Sequence, residues 1–254
     1  MNWLKLFKRD RRRTSDNVKR AMPAEPAIHY RGILVPTSGG HIPDSVIDQL
    51  VRDDYEAPEL LGIEGVIQNG DRILELGCGL GVVSALASRM ASDIGVLSFE
   101  ANPELMEPIN RLHALNGIDC IEVINAMLKH NPTLEIETFS LHRYFPEGSV
   151  IKSEFTQKEV SVSVMPFEET ISSFKPTVLI CDIDGGESEL LVDSDLSSFR
   201  AAVIEMHPNV TPQPEINAIF DNFARCGLKH VRDLSTANVE VFLADNLKTA
   251  RPSS

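Results

Sequence analysis

The spacing of apolar positions changes period along the chain. From residue 72 onward, short apolar runs alternate with stretches where apolar residues recur every three or four positions. These are the patterns of buried strands and amphipathic helices. Residues 72–76, 94–99, 121–124, 178–183 and 201–204 read as strands. Between them, residues 81–90 carry Val82, Leu86 and Met90 in helical register, and 103–116 begin at a proline and stop before Gly117, as helices commonly do. Ile216, Ile219, Phe220 and Phe223 mark a helix over 214–226 closed by Gly227. Residues 228–231 and 239–243 supply two more strands. The connection between them is too short for a parallel crossover and predicts antiparallel pairing. The run at 178–183 is almost unbroken, as in parallel sheets covered on both faces. Together these elements predict an α/β fold: a doubly wound, seven-stranded, mostly parallel sheet with one antiparallel strand near an edge.

Upstream, residues 28–35 read as a strand and 37–40 as a loop. A helix is expected from Asp44, with Val46, Ile47, Leu50 and Val51 on one face, and another after Pro58. Residues 127–165 interrupt the strand–helix alternation. There Val160, Val162 and Val164 alternate with Glu159, Ser161 and Ser163. This half-buried strand pattern, with 149–151, predicts a small antiparallel insertion. The expected organisation is a basic tail and linker at 1–27, expected to be disordered, and a strand-and-helix cap region at 28–70. The main domain follows at 71–245 with its insertion at 127–165, then a C-terminal tail at 246–254.

Charge changes the picture of partners. The chain carries −13 overall, yet Lys5, Lys8, Arg9, Arg11, Arg12, Arg13, Lys19 and Arg20 against Asp10 and Asp16 give its first 20 residues +6 and leave the rest at −19. An acidic body repels a phosphodiester backbone, so no nucleic-acid partner is expected. Trp3, Leu4, Leu6 and Phe7 ahead of the basic cluster could make residues 1–13 a peripheral membrane contact. The apolar part spans under two helical turns, so a solvated tail is preferred. The charges follow the apolar stretch, which does not read as a signal peptide. Cys78, Cys120, Cys181 and Cys226 match no zinc spacing and are expected to be reduced thiols in a cytoplasmic protein.

Three motifs carry candidate chemistry. Residues 73–81, Ile-Leu-Glu-Leu-Gly-Cys-Gly-Leu-Gly, run from a strand through a glycine turn into a helix. Such a turn lets backbone approach a ligand, and the helix start presents free N–H groups to a carboxylate. A dinucleotide site wants GxGxxG; here Val82 follows Gly77, Cys78, Gly79, Leu80 and Gly81. The GxGxG spacing, with Glu75 just upstream, suits S-adenosylmethionine, which has no pyrophosphate to cradle. Glu100, followed by Ala101, ends the next strand 19 residues after Gly81. A carboxylate there can accept both hydroxyls of a ribose. The candidate cofactor-binding set is therefore Glu75, Gly77, Cys78, Gly79, Gly81, Glu100 and Ala101.

The third motif, Cys181-Asp-Ile-Asp-Gly-Gly-Glu187, ends the 178–183 strand, and Glu205-Met-His207 ends the next. Ligands of open α/β sheets bind outside such strand ends. Asp182, Asp184 and His207 are the candidate catalytic residues, as a base or orienting group for an acceptor hydroxyl. Two other readings stay open: the acids orient the acceptor through a hard cation, or Asp184 and Glu187 cap the following helix. No metal ligand is assigned.

With these residues in place, the chain resembles the FkbM family of methyltransferases from about Tyr55 to His207. The resemblance rests on Tyr55–Glu59, the 73–81 turn, Phe99-Glu-Ala-Asn-Pro103, and Asp182–Glu187 with Glu205-Met-His207. It implies a Rossmann-like class I methyltransferase that transfers methyl from S-adenosylmethionine to a small-molecule acceptor, a hydroxyl on a sugar or natural product. The family usually carries lysine where this chain has Ile180. That departure favours the alternative of a catalytically inactive methyltransferase-fold binding module.

Overall fold

The computed structural model describes residues 26–38, 42–142, 148–149 and 156–245. The basic tail, the C-terminal tail and Val150–Ile151 of the expected insertion lie outside the described residues.

The apolar runs pair into one seven-stranded sheet. Its strands are β3 (Arg72–Leu76), β4 (Gly95–Phe99), β5 (Ile121–Ile124), β10 (Val178–Cys181), β11 (Ala201–Glu205), β12 (Leu228–His230) and β13 (Val239–Ala244). Their spatial order is β12-β13-β11-β10-β3-β4-β5. The pairs from β11 through β10, β3 and β4 to β5 are parallel. β13 alone is reversed, antiparallel to both β11 and β12, as the short connection after β12 requires. The chain leaves β3 toward β4 on one side and returns to β10 on the other. The crevice of this topological switch therefore opens at the carboxyl ends of β3 and β10.

Successive residues of a strand point to opposite faces, which gives the sheet two cores. Ile73, Val178, Val203 and Val241 face one core, where they meet Leu50 of α1 (Asp44–Arg52), Leu60 and Ile63 of α2 (Ala57–Val66), Val82 and Leu86 of α3 (Val82–Met90), and Ile109 of α4 (Met106–Asn116). Leu74, Leu179, Ala202 and Phe242 face the other. They meet Phe167 of α5 (Phe167–Phe174), Leu191 of α6 (Glu187–Leu191), and Ile219 and Phe223 of α7 (Gln213–Arg225). The result is a helix–sheet–helix sandwich. Among the described residues, no helix is long and apolar enough to cross a membrane.

Residues 28–35, expected as one strand, form a hairpin of β1 (Ala27–Tyr30) and β2 (Ile33–Pro36). Arg31 and Gly32 both take positive φ, 44° and 88°. A two-residue turn of this kind matches strand twist, and it turns Tyr30, Ile33 and Val35 together into the core.

The segment after β5 builds a separate four-stranded sheet in the order β6 (Ala126–Lys129), β9 (Thr156–Pro166), β7 (Ile136–His142) and β8 (Gly148–Ser149). β7 and β8 pair antiparallel, as do β7 and β9, while β6 runs parallel to β9. Val162 and Val164 point into a small third core with Met127, Phe139 and Leu141.

The amino ends of three central strands are tied at one point. Asp71, 3% exposed, accepts hydrogen bonds from the Thr177 hydroxyl (2.7 Å), the Gln68 amide (2.7 Å) and the Arg200 guanidinium, whose Nε lies 2.8 Å away. Asp71, Thr177 and Arg200 immediately precede β3, β10 and β11. The same three strands carry the candidate site at their opposite ends.

Candidate active site

The glycine turn closes β3 against the tip of β10. Gly77 has φ +75°, and a Cβ there would lie 1.7 Å from the Asp182 carbonyl oxygen. Its lack of a side chain is therefore required by backbone packing between the two motifs. Gly79 differs: at φ +51°, a Cβ would meet only the Tyr55 hydroxyl, at 3.9 Å. The space beside it belongs to a cavity of about 600 Å³. Gly81 packs against α4, where a Cβ would approach Ile109 at 3.1 Å, and it does not line the cavity.

Glu100 stands at the tip of β4, 7% exposed. One carboxylate oxygen accepts the Gly79 amide at 2.9 Å and the other accepts the Asn102 amide at 2.7 Å. Burial pushes this carboxyl up to about 7, against the two amides that favour its charged form. Glu75, on β3, is 1% exposed. One of its oxygens accepts the Ser98 hydroxyl, and among the described residues the other is within hydrogen-bond distance of no donor. Burial pushes its carboxyl up to about 7 as well. Glu75, Gly77, Cys78, Gly79, Glu100 and Ala101 all line the cavity.

The same cavity reaches Asp182, Asp184 and His207. His207 Nδ1 lies 2.8 Å from Oε1 of Glu187, which is itself only 1% exposed. The same oxygen accepts the Gly185 amide at 3.1 Å. This fixes the ring so that Nε2 faces Asp184 Oδ1 at 3.3 Å and Asp182 Oδ1 at 3.5 Å. Burial pulls the imidazole down, but the hydrogen bond and charge of Glu187, with Asp182 and Asp184, outweigh it and lift His207 to about 9. Asp182 is raised well above the usual carboxylate range by burial and then by Glu205, Glu56 and Asp184. Asp184 takes a left-handed φ of 48°. The start of α6 has no side-chain cap, so Glu187 is spent on orienting His207 and the Gly185 amide.

Every catalytic candidate and every cofactor candidate except Gly81 therefore meets in one cavity. Sequence reading assigned no role to Glu56, Glu59 or Glu205, which line it too. Glu59 sits on the buried face of α2 among Leu60, Ile63 and Val66 and is 4% exposed. Burial, then the neighbouring acids Glu56, Asp182 and Glu205, push its carboxyl up to about 11. A carboxylate on the apolar stripe of a helix is the signal that could have found it. Lys129 of β6 also borders the cavity, but its ammonium is engaged by Glu137 at 2.8 Å and Glu189 at 3.2 Å.

A seven-stranded sheet of this order, with a GxGxG turn after β3, a carboxylate at the tip of β4 and one reversed strand, defines an S-adenosylmethionine-dependent methyltransferase. Among solved structures, the fold is similar to a putative methyltransferase of this dependence from Streptococcus mutans (14% identity, 87% of this chain and 55% of that one, TM-score 0.45). It is also similar to a precorrin-6Y C5,15-methyltransferase from Geobacter metallireducens (11%, 74% and 87%, 0.44) and to Aeropyrum pernix fibrillarin with natively bound S-adenosyl-L-methionine (14%, 74% and 72%, 0.41). No curated protein sequence matches the chain. The family model described as the methyltransferase FkbM domain matches residues 81–229, and the chain belongs to that family.

Proposed function

We propose that this protein methylates a hydroxyl oxygen of a small molecule, of the sugar or natural-product kind. The carrying observation is that one cavity is lined both by Glu100 and the Gly79 turn and by Asp182, Asp184 and His207. S-adenosylmethionine fits the first set. Glu100 is a buried carboxylate held in place by two backbone amides with lone pairs left for ribose hydroxyls, and the missing side chain at Gly79 opens onto the cavity. Glu75, Gly77, Cys78 and Ala101 complete that wall. The bound cofactor supplies an electrophilic methyl group. A cavity of about 600 Å³ suits small ligands.

On the acceptor side, His207 is held protonated at neutral pH, so it donates rather than abstracts. Its ring faces Asp184 at 3.3 Å and orients that carboxylate. Asp184 then takes the acceptor's proton as the new O–CH3 bond forms; the S–CH3 bond breaks and sulfur keeps its electron pair. Positioning of the two reactants supplies much of the rate in such a displacement.

The test uses S-adenosylmethionine carrying a deuterated methyl and a panel of polyhydroxylated acceptors, with mass spectrometry locating the label. Label on oxygen is expected. Asp184→Asn should lower turnover by about 10²–10⁴ with cofactor affinity within a few-fold. Label on nitrogen or carbon, or undiminished turnover in Asp184→Asn, overturns the reading.

A further inference from the structure

Four carboxylates that the methyl-transfer reading leaves largely unused converge beside Asp184. Glu56 and Glu59 come from the start of α2, Asp182 from the end of β10 and Glu205 from the end of β11. Each offers an oxygen, and all four oxygens lie within 4.8 Å of one another. Three separate elements deliver them, so their meeting is a tertiary feature rather than a run of local charge.

Their partners do not balance them. Among the described residues, the only cationic group within ion-pair distance of the cluster is His207, 3.5 Å from Asp182. Lys129 is engaged elsewhere. Among the described residues, the Glu205 carboxylate meets no hydrogen-bond donor. Glu59 is 4% exposed and lines the cavity, yet among the described residues its hydrogen-bonding neighbour is Glu56, another acid of the same group. Glu59 alone of the four is fully buried, and a buried acid without a cationic partner is costly unless something neutralises it. An alkylammonium on the substrate would bring one positive charge and at most three donors. Four oxygen ligands from acids closing on one point match instead a hard divalent cation, which takes oxygen ligands at about 2.0–2.6 Å. Asp182 and Glu205 also group with His207, which leaves an imidazole at the rim of the same point.

We propose that Glu56, Glu59, Asp182 and Glu205 hold a divalent cation, magnesium or manganese, that binds the acceptor's hydroxyl and presents it to Asp184. This deepens the reading of the protein as an O-methyltransferase and rests on it for the acceptor, but the cation site itself does not require any acceptor to be present. Coordination polarises the O–H bond, and the proton still leaves to Asp184.

The test titrates manganese, then magnesium, into the chelator-treated full chain without cofactor or acceptor, followed by calorimetry and by the electron spin resonance of free manganese. One saturable manganese equivalent is expected, with affinity reduced at least tenfold in Glu59→Gln and in Asp182→Asn. Glu64→Gln, an exposed acid on the same helix, should bind manganese as the unmodified chain does. Cofactor affinity within a few-fold in the two cluster variants shows that they are folded. Absence of saturable manganese and magnesium binding overturns the proposal, as does unchanged manganese affinity in folded Glu59→Gln and Asp182→Asn. The two readings separate cleanly. Manganese binding lost in the variants, with label found on nitrogen, keeps the cation site and removes the hydroxyl acceptor. Label on oxygen without manganese or magnesium binding does the reverse.

Discussion

Replacing Glu100 by glutamine tests the cofactor side of the site through both binding and stability. The side chain keeps its size, but one oxygen becomes an amino group. That group must face either the Gly79 amide, now 2.9 Å from Oε2, or the Asn102 amide, now 2.7 Å from Oε1. Loss of a charged acceptor for the ribose hydroxyls should cost about 1.5–3 kcal/mol of cofactor binding, roughly 10- to 150-fold in Kd. Stability carries a separate signature. The folded carboxyl titrates at about 7, above its ordinary value of 4.5. A raised acid contributes stability fully below its unfolded pKa and loses it as pH climbs through the folded pKa. The window is therefore pH 4.5 to about 7, and the loss is about 3 kcal/mol. Urea unfolding across that window should show the native chain losing this much relative to Glu100→Gln. Glu75 titrates similarly in both proteins and largely cancels in the difference. Calorimetry adds that cofactor binding by the native chain weakens from pH 8 to pH 6, as the site must first lose a proton. A folded Glu100→Gln that binds the cofactor within twofold of the native chain at pH 8 would refute the assignment.

Two further outcomes follow from the packing. Gly77→Ala should fold poorly or lose several kcal/mol in urea unfolding, because its Cβ would be driven into the Asp182 carbonyl at 1.7 Å; a stable, cofactor-binding Gly77→Ala protein would show that the turn yields easily. Asp71→Asn should cost about 3 kcal/mol of stability by leaving the Arg200 guanidinium without its charged partner, while cofactor affinity measured on the folded fraction stays within a few-fold.

Much of the sheet was legible in the sequence because its strands bury both faces and its helices bury one, so the two periods separate cleanly. The reversed β13 was legible for a different reason: a seven-residue connection cannot cross a sheet. The hairpin at β1 and β2 was not, since Arg31 is an ordinary residue and only Gly32 hinted at a turn. β6 and β7 were missed because four residues carry too little pattern, and β7 alternates only weakly. At the site, Gly77, Gly79, Glu100, Asp182, Asp184 and His207 were readable from spacing within single motifs. Gly81 was grouped with them by the motif, yet spacing cannot tell a glycine that admits a ligand from one that admits a neighbouring helix. Glu56, Glu59 and Glu205 gain their significance only when α2 is laid across the ends of β10 and β11.

The tie at Asp71, Thr177 and Arg200 acts as a common origin from which strand length is measured. From it, β3, β10 and β11 run only four or five residues before reaching the turn, the acids and the Glu205–His207 pair. Each residue advances a strand by about 3.3 Å and reverses which face its side chain meets. One residue inserted into β10 would carry Asp182 past its neighbours and exchange the apolar residues between the two cores, even with every motif intact. Tolerance to insertion and deletion should thus be lowest in these three short strands. In such a protein the count of residues between anchor and tip is as much a part of the site as the side chains that form it.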